Sequence, residues 1–157
     1  MRTNRVLTVC GLLTAALGLA SPVVAQGRAS DRASEAKALS CVFSTMVSGS
    51  WNSDGAVAET MPAKLSIAFA DVDADEGTAR VIGEFGPSDV VVRLSLGTLH
   101  VLQAFGDGPL YATTVFPWEN RPGVLRAAHM RHVLTADSRP GVTSRPEQYY
   151  GECEVTK

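Results

Sequence analysis

The chain has little positive charge, few aromatic residues and only three cysteines. Its 157 residues include 14 Lys and Arg against 16 Asp and Glu, and aromatic residues make up 6%. Proteins that bind nucleic acid cluster Lys and Arg to neutralise phosphates, whereas the basic residues of this chain are scattered among acidic ones. The composition therefore predicts that nucleic acid is not a partner.

The sequence also lacks an apolar run long enough to cross a membrane. Its apolar segment Val6 to Ala20 has 15 residues, and a transmembrane helix needs roughly 20. Two arginines precede this segment and the small residues Ser21 to Ala25 follow it, which is typical of a secretory signal peptide cleaved before Gln26. We expect residues 1–25 to be removed and the protein to be exported, to the periplasm or the extracellular space, with no membrane span left.

The mature chain is long enough for one domain. Cleavage leaves 132 of the 157 residues and removes two of the 14 basic residues and no acidic one, so the net charge changes from −2 to −4. A chain of this length forms one ordinary domain rather than two. Residues 26–40 are small and polar and predict either a loose leader or a short helix, and residues 41–157 predict a single β domain.

Two cysteines, Cys41 and Cys153, lie near the two ends of the mature chain. Exported proteins fold in an oxidising environment, where two cysteines without metal-site or C-x-x-C spacing usually form a disulfide. Such a disulfide would close a loop of about 113 residues, for which the chain-entropy relation gives roughly 4 to 5 kcal/mol. Two unpaired buried thiols are the alternative.

After Cys41, apolar residues recur with period two, and Gly, Pro, Asn and Asp interrupt them every 8 to 12 residues. This pattern is typical of an antiparallel β protein, and Leu65, Ile67 and Phe69 show it best. Pro62 is predicted to end one strand, and Gly97-Thr98 is predicted to form a two-residue hairpin turn. The predicted strands are Val42–Val47, Ala56–Met61, Leu65–Ala70, Thr78–Phe85, Val90–Leu96, Leu99–Phe105, Leu110–Phe116, Val124–Thr135 and Gln148–Val155.

A meander of eight or nine strands leaves unpaired backbone on both outer strands unless it closes on itself or folds into two packed sheets. A disulfide between the first and last strands fits closure. The sequence therefore predicts an all-β, antiparallel up-and-down barrel or curled sandwich. Gly49-Ser50-Trp51 is similar to the G-x-W start of lipocalins, an analogy that covers three residues.

Several segments, most of them in the second half, resemble recurring segments of a family of small exported bacterial proteins with no assigned activity. These segments are Phe69–Gly83, Thr113–Phe116 (TTVF), Ala128–His132 (AHMRH) and Gln148–Cys153 (QYYGEC). The resemblance implies an exported protein and brings no reaction with it. In this family the position of Met130 is often serine, so the chain's own residue there argues against a nucleophile.

His129 and Arg131 are the first candidate site residues. On a strand they share a face with the apolar Leu125, Ala127 and Val133, so a cation and an imidazole would project from an apolar strip. Inside a barrel this strip would orient an anion. The alternative is that the strip faces solvent or pairs with acids on a neighbouring strand.

Trp118 and Tyr149 are the other candidate ligand-binding residues. They are predicted in loops or at strand ends, where large aromatic side chains can line the mouth of a pocket or a protein contact. Ordinary packing is the alternative. No cofactor is expected.

Two metal-site patterns are incomplete. His129 and His132 would point to opposite sides of a strand, which separates them as ligands. The acidic turn Asp71 to Gly77 approaches the calcium-loop pattern, but glutamate replaces its sixth-position glycine, and Ile82 occupies its twelfth position. We interpret it as a solvated turn and predict no metal site.

The sequence contains no G-x-S-x-G or H-E-x-x-H motif, so it leans against an enzyme. The leading hypothesis is an exported, non-catalytic protein that binds a small apolar or anionic ligand. The alternative is a protein-interaction or inhibitor module of the cell envelope, acting through loops Pro117–Gly123 and Ser138–Pro146. A small hydrolase ranks third and would need His100, His129 or His132 beside a serine or an acid.

Overall fold

A computed structural model describes residues 24–83, 86–106, 109–133 and 145–157. One helix precedes eight strands. Their bounds are α1 Val24–Ser34, β1 Ala38–Asn52, β2 Gly55–Asp73, β3 Thr78–Gly83, β4 Gly86–Ser95, β5 Thr98–Ala104, β6 Leu110–Arg121, β7 Val124–Val133 and β8 Arg145–Thr156. Most of the predicted signal peptide and of the loop Ser138–Pro146 lies outside the described residues, so both stay predictions.

The eight strands form one antiparallel meander that closes into a ring. Each strand pairs with the next along the chain, and β8 pairs with β1. Cys41 lies opposite Cys153 in that closing pair, and the two residues form a disulfide. The predicted all-β, up-and-down fold and the predicted disulfide are confirmed.

The prediction that Pro62 ends a strand is wrong, because β2 continues through it from Gly55 to Asp73. Within the described residues, β3 pairs with β2 only between Ala68 and Asp73, so Pro62 has a strand, β1, on one side alone. Proline lacks an N–H and is tolerated on such an edge, where no second ladder needs its hydrogen bond. The ring is therefore uneven, with the β1–β2 hairpin extending beyond the β2–β3 pairing.

The turn between β4 and β5 lies one residue earlier than predicted. Ser95 pairs with Thr98, and Leu96 and Gly97 between them have positive φ angles of 50° and 77°. Two successive residues with positive φ are characteristic of the tight turn that matches the twist of paired strands. A Cβ atom on Gly97 would also clash with the Ser30 side chain, so α1 packs directly against this turn.

Helix α1 covers the end of the ring that carries the β4–β5 and β6–β7 turns. Ala29 and Ala33 are buried, and their small side chains allow the helix to approach the sheet closely. These two alanines belong to the same buried core as Leu99 of β5 and Val115 of β6. No helix among the described residues is long and apolar enough to cross a membrane.

Candidate functional site

A cavity of about 200 Å³ lies inside the ring, toward the end away from α1. One wall is largely apolar and comes from β2, β3 and β5, and the other is polar and comes mainly from β6 and β7. The lining residues are Leu65, Ser66, Ile67, Phe69, Val81, Ile82, Gly83, Val101, Gln103, Tyr111, Thr113, His129 and Arg131.

Strand alternation aims the polar side chains inward. On β7 the odd-numbered residues face the interior, where Leu125 and Ala127 are buried and His129 is 5% exposed. The antiparallel register places Thr113 of β6 directly opposite His129, and Tyr111 opposite Arg131. Directly opposed residues on one face of a sheet lie within contact distance, so β6 and β7 form one continuous polar wall.

His129 is surrounded by aromatic rings and holds one hydrogen-bond partner. Its Nδ1 lies 2.9 Å from the Thr113 hydroxyl oxygen, and the centroids of the rings of Phe43, Tyr111 and Tyr149 lie within about 6 Å of its own. Burial, followed by the positive charge of Arg131, lowers the pKa of His129 from 6.5 to about 4. At neutral pH the cavity therefore contains an uncharged imidazole.

The low pKa of His129 predicts an acid-sensitive fold. Between pH 6.5 and 4 the unfolded chain protonates this histidine while the folded protein resists protonation, so the free energy of unfolding should fall with pH by on the order of 3 kcal/mol. Above pH 6.5 the histidine is neutral in both states and its contribution is constant. Urea unfolding at several pH values measures the slope of the free energy of unfolding against pH.

His129→Gln should remove this part of the slope, and His100→Gln is the control because His100 bonds Thr114 rather than lining the cavity. Carboxylates titrate in all three proteins and cancel in the comparison. Equal slopes for the wild type and His129→Gln would contradict the assignment.

Arg131, Glu147 and Tyr149 form a second group beside the histidine. The Arg131 Nε donates a hydrogen bond of 2.6 Å to Glu147 Oε2, and the Tyr149 hydroxyl donates one of 2.7 Å to the same oxygen. The Arg131 guanidinium carbon also lies 4.9 Å from the centroid of the Tyr149 ring, which is a cation–π distance. These contacts fix the direction in which the guanidinium points.

The pKa shifts in this group describe a stable ion pair. Burial alone would lower the pKa of Arg131 and raise that of Glu147. The hydrogen bond and charge of Glu147 outweigh burial and raise the pKa of Arg131, and the hydrogen bond from Tyr149, followed by the hydrogen bond and charge of Arg131, lowers the pKa of Glu147. Burial and the nearby carboxylate raise the pKa of Tyr149 to about 12. At neutral pH the group therefore carries one positive charge, one negative charge and a phenol that keeps its proton.

The structure brings together three of the four predicted ligand-binding residues. His129 and Arg131 line the cavity, and Tyr149 is buried against both. Trp118 is separate, because it is 58% exposed on the outside of the ring, in a groove with Phe116, whose ring stacks on it at 6.2 Å. The strip of β7 that carries His129 and Arg131 faces the interior, which is the arrangement an anion site would need. Arg131 also pairs with Glu147 of β8, which belongs to the alternative interpretation.

Sequence reasoning missed Gln103, Tyr111, Thr113 and Glu147. Tyr111 and Thr113 alternate with Val115 along β6, so period two could have placed them on one face. Glu147 lies two residues from Tyr149 and shares its face of β8, but its pairing with Arg131 depends on the β7–β8 register.

The other polar candidates have structural partners. In the acidic turn, Asp73 Oδ1 accepts the N–H groups of Asp75 and Glu76, and Asp71 pairs with Arg80. The hydrogen bond from Glu76 contributes most to lowering the pKa of Asp73. Among the described residues, no group of three or more His, Cys, Asp or Glu side chains is arranged to hold a metal ion.

The fold and the cavity define the protein as an eight-stranded, unevenly closed β-ring with a mixed apolar and polar interior. Comparison with protein-family models, with curated proteins and with solved structures found no match. The resemblance of the TTVF, AHMRH and QYYGEC segments to small exported bacterial proteins therefore stays a prediction.

Proposed function

We propose that the protein is an exported, non-catalytic binder that holds a small apolar or anionic molecule inside the ring. The observation that supports this proposal is the cavity itself, in which an apolar wall faces His129 and Arg131. Ligand sites are typically concave and mostly apolar, with a few polar groups that fix orientation. The cavity has this composition.

The cavity volume limits the ligand to a small molecule. An engineered cavity of about 150 Å³ in another protein binds benzene, so about 200 Å³ suits a ligand somewhat larger than benzene. An aromatic or branched body would pack against Leu65, Ile67 and Val101. Its polar end would then point toward the wall formed by β6 and β7.

The polar wall suits a hydrogen-bond acceptor or a carboxylate. A guanidinium has five N–H donors in a fixed fork, and Glu147 accepts from the Nε of Arg131. The remaining donors are held in orientation by Glu147 and Tyr149, which favours a planar carboxylate. Because Glu147 already balances the charge, an anion gains less here than beside an unpaired arginine, and we expect modest affinity.

Export is part of the proposal and has two independent supports. The first 25 residues are typical of a signal peptide. The Cys41–Cys153 disulfide is of the kind that persists in oxidising compartments and is rare in the cytosol.

Binding of benzoate tests the proposal, because its apolar ring and carboxylate match the two walls. We expect millimolar or tighter binding of this ligand of about nine non-hydrogen atoms, seen as chemical-shift changes confined to residues of the cavity. Benzamide, an uncharged analogue of the same size, separates the apolar contribution from the anionic one.

Arg131→Lys should weaken benzoate binding about tenfold and change benzamide binding little, because lysine keeps the charge and loses the fork. Arg126→Lys on the outer surface is the matched control and should change neither. Val101→Phe, which fills the cavity, should abolish both. If neither benzoate nor benzamide binds at millimolar concentration, the proposal is contradicted. It is also contradicted if Val101→Phe binds them as well as the wild type does.

A second candidate is a protein-interaction module of the cell envelope, and the outer groove favours it. Trp118, Tyr150 and Arg126 line this groove, and these residue types dominate the energetics of protein interfaces. Tyr150 is 45% exposed and Val42 is 54% exposed at the same site. This candidate uses Pro117–Gly123, a segment predicted as a loop that is mostly strand, because β6 continues to Arg121. It is compatible with a ligand inside the ring.

A further inference from the structure

The outer face of β4 to β7 carries a continuous apolar row, which we call the outer stripe: Val91, Leu102, Ala112 and Met130. Each residue lies directly opposite the next in the strand register, from Val91 to Leu102, to Ala112 and to Met130. Directly opposed side chains on one face of a sheet touch, so the four residues form one contiguous surface.

The outer stripe is exposed to solvent. Val91 is 45% exposed, and Leu102 and Met130 are each 37% exposed. Single exposed apolar residues are ordinary, but a contiguous apolar row with polar residues beside it is characteristic of an interaction site. On one side, Arg93 and His100 form a polar row. On the other side, Asp89 is polar, and the paired Ala104 and Leu110 extend the apolar surface, with Leu110 43% exposed.

We propose that the outer stripe is the interface of a homodimer in which two copies pack these strands face to face. A two-fold axis that runs along the stripe, between the two sheets, places each stripe residue on the same residue of the second copy. Isologous interfaces of this kind are the commonest in protein oligomers. Leu102 would then pack on Leu102 and Met130 on Met130, at the usual sheet spacing of about 10 Å.

The charges beside the stripe select a second copy as the occupant. Asp89 and Arg93 lie two residues before and two residues after Val91, so all three side chains share the outer face of β4. The two-fold axis exchanges the two flanking rows and brings Asp89 of one copy to Arg93 of the other. Two such ion pairs form in each dimer, and no like charges of these rows oppose each other.

Both members of the proposed ion pair are accessible. Arg93 is exposed, and its Nη1 donates a hydrogen bond of 2.7 Å to the carbonyl of Val92, its own neighbour. Asp89 is exposed, and no ion pair of this carboxylate occurs among the described residues. Asp89 lies opposite Arg80 of β3, which pairs with Asp71, and the Arg93 guanidinium packs against Gly77. The ion pair of the dimer therefore requires the Arg93 side chain to rotate away from Gly77.

The interface is small. The outer surface of a ring is convex, so two rings touch over a few strands, and stable complexes bury about 800 Å² on each partner. We therefore expect a dissociation constant of about 10 to 100 µM rather than a permanent dimer.

Sedimentation equilibrium over about 5 to 500 µM tests the proposal on the full mature chain. The wild type should shift from monomer to dimer across this range. Asp89→Arg and Arg93→Asp should each weaken dimerisation at least about tenfold, because each replaces two attractive contacts with two repulsive ones. The double variant exchanges the charges and should dimerise within about threefold of the wild type.

Two further variants connect the effect to the apolar row. Leu102→Lys should abolish dimerisation, and Leu96→Lys should leave it unchanged because Leu96 is 99% exposed in the β4–β5 turn, outside the stripe. Circular dichroism confirms that each variant is folded. A wild type that stays monomeric over the whole range, or a double variant as weak as the single ones, would overturn the proposal. Benzoate binding is independent of either result.

Discussion

Replacement of Gly151 by alanine should destabilise the protein by at least about 3 kcal/mol, because the new methyl group has no space. A Cβ atom at this position would overlap the carbonyl oxygen of Val42 and lie 2.7 Å from the Cα atom of Phe43. Both are backbone atoms of β1, so no side chain can rotate away. Relief would require β1 and β8 to separate at the point where they close the ring.

Gly106→Ala is the matched control for this variant. A Cβ atom on Gly106 meets nothing within 4 Å, so the same change of one methyl group should alter stability by less than about 1 kcal/mol. The free energy of unfolding from urea titration measures both variants. If the two alanines cost the same, the close approach of β1 and β8 at Gly151 is not real.

Removal of the disulfide should cost about 4 to 5 kcal/mol, because the bond closes a very long loop in the unfolded chain. Cys41 and Cys153 are separated by 112 positions, and the bond therefore excludes most extended conformations of the unfolded state. The expected loss is comparable to the whole stability of many small domains. Urea unfolding with and without a reducing agent measures it.

The double variant Cys41→Ala/Cys153→Ala provides the control, since its stability should not respond to the reducing agent. It should match the reduced wild type in unfolding midpoint, apart from small packing changes at the two buried sites. Recovery of both cysteines as free thiols in non-reduced protein purified from its own compartment would contradict the disulfide.

Period two predicted where most strands lie, and the two cysteines predicted the pair of strands that closes the ring, but several strand ends were predicted wrongly. The alternation of Leu65, Ile67 and Phe69 correctly indicated a half-buried strand. Pro62 was misread because its cost depends on whether a second strand lies beside it, and β3 is too short to reach it. Proline lacks an N–H wherever it occurs, but whether this loss ends a strand depends on whether a second strand needs the hydrogen bond.

Predictions about the candidate site were limited in the same way, because they too came from patterns within one strand. Period two placed His129 and Arg131 on one face of β7, but a single strand does not specify which of its faces becomes the interior. Trp118 was grouped with them because aromatic residues at strand ends often line pocket mouths. The structure places it on the opposite side of the sheet, where it lines the outer groove with Val42 and Arg126, and the register shift of β6 after Val115 removes the simple alternation at this position.

The sequence by itself determined the strand rhythm, the approximate positions of the hairpin turns and the two cysteines that join the ends, because each depends on residues close in the chain or on cysteine chemistry. Only the tertiary structure decided that the His129 face turns inward, that Glu147 meets Arg131, and that an apolar stripe crosses the outer surface. These features arise from the register between strands. Register is set when the whole ring closes and buries one face of every strand at once.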